Sequence, residues 1–219
     1  MKFIDLSHTI EDGTVTYKGL PAPKICDFWT REESKNWYEE GTSFQIGKIE
    51  MVSNTGTYID TPFHRYEDGK DLSDILIERT ALLDTIVIRV PYQQKKKIDV
   101  DIFKQYELKN KAVLIHTGWD ELWEKEEYYS ENPYLTAEAA EYLVEQEVIL
   151  VGIDSYNIDD VTGKSRPVHT ILLKNEILIV EHLCNMNRIP DGVPLQFCAT
   201  PPKVKGMGTF PVRAYVVVE

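Results

Sequence analysis

Four short apolar runs, spaced between residues 83 and 180, constrain the fold of this chain more than any other feature. Residues 83–90 (LDTIVIRV), 112–115 (AVLI), 148–153 (VILVGI) and 177–180 (ILIV) each have the length and β-branched content of a buried strand. Helical segments lie between them. The clearest follows Thr136, a suitable cap, with Glu138 early where the helix dipole favours an acid, and Ala139, Tyr142 and Leu143 at helical spacing. Residues 101–106 and 167–174 are shorter candidates, the second with Pro167 in its first turn. Strands alternating with helices predict parallel βαβ pairing. The first third is different. It is punctuated by Gly and Pro, with one alternating strand over 44–52, and a last strand is expected over 214–218. The expected class is therefore a mixed, layered α/β fold rather than a simple doubly wound sheet, with residues 1–219 forming one domain.

Composition narrows the partners. The chain has 36 acidic against 24 basic residues, a formal net charge of -12, which repels phosphate backbones and predicts no nucleic-acid partner. The one basic run, Lys95 to Lys97, reads as a solvated turn. Cys26, Cys184 and Cys198 are odd in number and widely spaced, which fits neither a disulfide framework nor a cysteine zinc knuckle. The N-terminus lacks a long apolar leader, and every apolar run falls far short of the ~20 residues that span a bilayer. A cytoplasmic protein without membrane attachment is expected.

The stretch from Asn54 to His64 (NTGTYIDTPFH) carries the first chemical signal. On a straight strand Asp60 and His64 would share a face but lie ~13 Å apart. Pro62 forbids a helix interior and pushes Thr61 toward extended geometry. Either the chain bends at Thr61–Pro62 and the two side chains converge, or they do unrelated jobs. Two distant residues add to them. His169 lies at the start of an expected helix, and Glu181 follows an apolar run, where a carboxylate is costly unless paired, coordinated or turned to solvent.

The chain resembles the cyclase family that includes bacterial kynurenine formamidases and isatin hydrolase. That family carries H-x-G-T-H-x-D-x-P-x-H, and this chain reads Asn54-x-Gly56-Thr57-Tyr58-x-Asp60-x-Pro62-x-His64 in the same frame. Asp5–His8, Leu114–Trp119, Val151–Asp154 and the His169 and Glu181 segments match in order. The resemblance implies a three-layer β/β/α fold, as in the family's swivelling domain, and a homodimer or homotetramer. It implies hydrolysis of a carbon–nitrogen bond in a small amide or cyclic amide. It also implies a metal site in which Asp60, His64, His169 and Glu181 are the ligands. Two family histidines that complete another metal site are replaced here by Asn54 and Tyr58, so one ion is expected rather than two. Two imidazoles and two carboxylates suit zinc first and manganese next. His64 would complete the shell or act as general base, and Tyr58 would donate to a developing oxyanion. An inactive binding or regulatory protein, or a lactone hydrolase or lyase, are the alternatives.

Other residues admit two readings each. Tyr17 is a substrate-facing aromatic or a packing residue. His116, on a strand, reads as structural rather than catalytic. Asp154 could orient a ligand histidine or cap the next loop. His182 would face away from Glu181 if the strand continued. Trp29, Trp37, Trp119 and Trp123 have no functional spacing.

Overall fold

The structure, a computed structural model, describes residues 1–218. Its strands are β1 (Lys2–Asp5), β2 (Lys24–Trp29), β3 (Ile46–Glu50), β4 (Tyr58–Asp60), β5 (Leu83–Arg89), β6 (Lys97–Ile98), β7 (Ala112–His116), β8 (Tyr134–Leu135), β9 (Leu150–Ile153), β10 (Leu178–Glu181), β11 (Leu195–Cys198), β12 (Thr209–Pro211) and β13 (Tyr215–Val218). The helices are α1 (Arg31–Ser34), α2 (Ala137–Glu145) and α3 (Pro167–Lys174).

Nine strands form one mixed sheet in the order β1-β13-β11-β5-β7-β9-β10-β4-β12. The four apolar runs are its centre: β5, β7, β9 and β10 pair in parallel. Antiparallel wings close both sides, β11, β13 and β1 beyond β5, and β4 and β12 beyond β10. The period-2 pleat sends alternate side chains to opposite layers. Val113, Ile115, Val151, Ile153 and Ile179 pack against Ala139, Ala140 and Leu143 of α2 and Val168, Leu172 and Leu173 of α3. Leu114, Leu150, Leu178 and Val180 face the other way, onto Ile4, Leu195, Phe197 and Val216 of the far wing. The expected three layers are present, with both β layers contributed by one curled sheet.

Local signals explain the helices. Thr136 Oγ1 accepts from Ala139 N at 3.1 Å, capping α2 as expected, and α3 has the predicted bounds with Pro167 at its start. Residues 101–106 do not form an α-helix. A 3₁₀ turn, Val100–Ile102, stands there, because so short a segment closes barely one turn. The strand expected over 44–52 forms as β3, but it pairs only with β2 and is exposed along its whole length. No helix among the described residues is long and apolar enough to cross a membrane.

Candidate metal centre

Strand β4 positions the centre. It lies between β10 and β12, with Tyr58 opposite Glu181 and Asp60 opposite Thr209. Tyr58 and Asp60, two residues apart, therefore share a face with Glu181. After Asp60 the chain bends: Thr61 is extended (φ -109°, ψ 167°) and Pro62–His64 turn as a 3₁₀ helix. Gly208 lies against this turn so closely that a Cβ there would sit 2.2 Å from His64 N. The bend brings His64 Nδ1 to 3.7 Å from Asp60 Oδ1, which selects convergence over unrelated roles.

Hydrogen bonds fix which ring nitrogens are free. Thr209 Oγ1 donates to Asp60 Oδ1, an acceptor only, so the same hydroxyl accepts from His64 Nδ1 at 2.9 Å. The neutral His64 ring then keeps its lone pair on Nε2. His169 behaves alike. Asp159 Oδ2 lies 2.7 Å from its Nδ1 and accepts from it, which leaves Nε2 toward Asp60 Oδ2 at 3.6 Å and Glu181 Oε1 at 3.7 Å. Asp159 also accepts from Val168 N and His169 N, so one carboxylate both caps α3 and orients the imidazole.

These groups fit a divalent ion. Asp60, with its carboxyl wholly buried, has an Oδ2 without a hydrogen-bond partner among the described residues, a costly state unless something else satisfies it. Asp60, His64 and His169 each offer a donor atom within 4.8 Å of the others. Ligands around a tetrahedral ion at ~2.1 Å lie about 3.4 Å apart, close to the spacing of His169 Nε2 from the two carboxylates. Charge points the same way. Burial alone would lower the His169 imidazole, but Glu181, Asp159 and Asp60 hold it up to about 10. A field that holds a proton between those carboxylates also attracts a cation. Burial pushes Glu181 up to about 7 against the pull of His169. Burial likewise opposes ionisation of Asp60, but His64, His169 and Thr209 keep it below the usual carboxylate range.

The replacements shape the rest of the wall. Tyr58 OH donates to Glu181 Oε2 at 2.7 Å, and Glu181 Oε1 accepts from Ile158 N at 2.6 Å. Burial, then the Glu181 and Asp60 charges, raise the Tyr58 phenol well above its ordinary value, so it stays protonated and a donor. It can serve an oxyanion only by leaving Glu181. Asn54 and Tyr58 both line a cavity of about 430 Å³ together with Asp60, His64, His169, Glu181 and Asn157. Tyr17 lines it too and packs on Tyr156, with ring centroids 4.5 Å apart.

The remaining candidates lie elsewhere. Asp154 accepts from Thr117 N, Thr117 Oγ1 and Gly118 N and so fastens the loop after β7; Asp159 is the residue that orients the His169 imidazole. His116, Asp120 and Asp154 approach one another, but Arg89 donates to His116 Nδ1 at 2.6 Å, which leaves the proton on Nε2 and no lone pair there. β10 ends at Glu181, and His182 turns (φ 56°) into a buried place against Tyr128 OH at 2.7 Å, its ring 5.1 Å from Tyr58. Trp29 stacks on Trp37, and Trp119 and Trp123 belong to an aromatic cluster with Tyr128 and Tyr156. Asp159, Thr209 and Gly208 were not legible in the sequence.

A curled, mixed sheet with a buried histidine–carboxylate centre at the junction of β4, β10 and α3 defines an α/β protein whose ligand set fits a divalent ion. The chain belongs to the cyclase family, whose model (Putative cyclase) matches residues 4–160. The kynurenine formamidase of Geobacillus thermodenitrificans is 30% identical over 215 residues, covering 97% of this chain and 95% of that protein. That of Bacillus anthracis is 28% identical over 219 residues, covering 98% and 97%. Among solved structures, isatin hydrolase A from Labrenzia aggregata bound to benzyl benzoate superposes with a TM-score of 0.84 at 19% identity, covering 100% of this chain and 94% of that one. A potential metal-dependent hydrolase with cyclase activity gives 0.79 at 24% identity, covering 98% and 96%. At these identities the structural likeness establishes the fold.

Proposed function

We propose that this protein is a metal-dependent hydrolase of a carbon–nitrogen bond in a small amide or cyclic amide, with one divalent ion per chain, zinc first and manganese next. The observation that carries this reading is the buried, unpartnered Asp60 Oδ2 facing His169 Nε2 at 3.6 Å. Asp60, His169 and Glu181 would hold the ion, with His64 completing the shell or serving as base. When bound, such an ion polarises a carbonyl and makes water a stronger nucleophile near neutral pH.

The chain's own groups supply the rest. Thr209 keeps the His64 Nδ1 proton engaged, so Nε2 is the atom that can take a proton from an attacking water. Asp159 holds the His169 ring in one tautomer. Tyr58 fixes the Glu181 carboxylate and fills, with Asn54, the wall where the family pattern has imidazoles. That substitution supports a single ion and a substrate other than N-formylkynurenine.

We also propose a homodimer or homotetramer in the cytoplasm. The β2–β3 arm supports the first: Phe28, Trp37 and Ile49 are 61%, 70% and 49% exposed, large apolar side chains that a partner copy would cover. Three free cysteines accord with a reducing compartment.

Turnover of formanilide, N-formylkynurenine and simple lactones by zinc-loaded protein, with and without a chelator, tests the reaction class. Chelator-sensitive amide hydrolysis is expected, with kcat/KM for N-formylkynurenine below about 10⁴ M⁻¹s⁻¹. Lactone turnover alone, or chelator-insensitive amide hydrolysis, would overturn the reading.

A further inference from the structure

We propose that Arg65 and Arg166 make the cavity select substrates that carry a carboxylate beside the scissile bond, an inference that rests on the hydrolase reading above. Three cationic residues, Lys18, Arg65 and Arg166, line a cavity in a chain whose formal net charge is -12. Lys18 is engaged: it pairs with Glu126 and lies over the Tyr129 ring. Neither arginine has an acidic partner within 4.0 Å among the described residues, although the chain carries 36 acidic side chains to choose from.

Both guanidiniums are anchored by neutral groups that leave donors free. Arg65 Nε donates to Thr170 Oγ1 at 3.2 Å. Arg166 Nη1 donates to the carbonyl oxygens of Asp160, Gly163 and Ser165 at 3.2, 3.0 and 2.8 Å. The two anchors meet, because Thr170 Oγ1 donates to Arg166 O at 2.7 Å. Arg65 directly follows His64 in the chain, and Arg166 and Thr170 flank the turn of α3 that carries His169. The geometry that sets the imidazoles therefore also sets the arginines. The remaining N–H groups form a planar fork suited to bidentate carboxylate recognition. Asp60 and Glu181, the acidic groups of the cavity wall, face His169, and a divalent ion held there balances their two charges. What remains at the wall is the arginine charge.

The test compares binding of benzoate and benzyl alcohol, neither of which has a bond to hydrolyse, to zinc-loaded full-length protein by calorimetry. Benzoate is expected to bind at least about tenfold tighter, the preference shrinking as salt rises, as for a charge-assisted contact. In Arg65→Gln the preference should fall by about three- to tenfold, and Arg65→Lys should restore part of it. Because Arg166 also holds its loop, Arg65 is the cleaner position, and it is exposed, so its substitution leaves the core intact. Equal affinities in the wild type, no binding of either compound below about 10 mM (roughly -2.7 kcal/mol), or a preference unchanged in Arg65→Gln would overturn the proposal. The last outcome would put the carboxylate on the bound ion instead. A separate arm follows turnover of 2-formamidobenzoate and formanilide. Should neither be cleaved while the Arg65-dependent benzoate preference stands, the hydrolase reading falls and the anion site survives.

Discussion

At the scale of single residues, the centre depends on groups that touch no substrate. Asp159 sits behind His169 and fixes which nitrogen faces Asp60 and Glu181. Asp159→Asn keeps the shape but can present a donor to Nδ1, allowing the ring to turn its proton outward. We expect metal affinity to fall by about 10- to 100-fold with the fold preserved, measured by competition with a chromophoric chelator. An affinity unchanged within error would remove Asp159 from the centre. The four candidate ligand residues could be singled out in the sequence because the order of the family motif is kept in this chain. Asp159 was not, because it lies ten residues before His169 and reaches it only once the loop after β9 has folded back. Asp154, the more visible acid at the end of a buried strand, fastens a neighbouring loop instead.

At the scale of elements, what the sequence revealed depended on how local the cause was. Thr136, Pro167 and the four apolar runs act within a few residues, and α2, α3 and β5, β7, β9 and β10 appear where they were expected. β4 is only three residues long, and its partner strands come from more than a hundred residues downstream, so register rather than propensity defines it. The 101–106 helix failed because so short a segment closes barely one turn. Thr136→Ala removes the acceptor for Ala139 N, and global stability in urea should drop by about 1 kcal/mol. A change within about 0.3 kcal/mol would mean that packing alone holds the helix start.

At the scale of the whole molecule, His116 ties stability to pH. Burial, reinforced by the Arg89 charge, lowers the His116 imidazole to about 4. The unfolded chain takes up that proton near 6.5. Between those values the unfolded state binds more protons, so stability rises with pH; it falls as pH drops from 6.5 toward 4. This one group contributes up to about 1.4 kcal/mol per pH unit across that window. In urea titrations from pH 6.5 to 4.5, the slope of stability against pH should be lower in His116→Gln than in the wild type by up to that amount. An identical slope in the variant would show that His116 does not set the acid limit. Oligomerisation belongs to this scale too. Charged substitutions at Phe28 and Trp37 on the exposed arm should shift the protein toward monomer in sedimentation analysis, and an unchanged distribution would exclude the arm as the interface.

The proposed function rests on one ion site, built on Asp60, His169 and Glu181, where the family pattern provides ligands for two. Elemental analysis of protein purified without chelator, expressed per chain, tests it most directly. At most one zinc or manganese per wild-type chain is expected, with its loss in His169→Ala, retention in His116→Ala, and a rise toward two in the double variant Asn54→His, Tyr58→His. Two tightly held ions in the wild type, or an ion that persists in His169→Ala and disappears in His116→Ala, would contradict it.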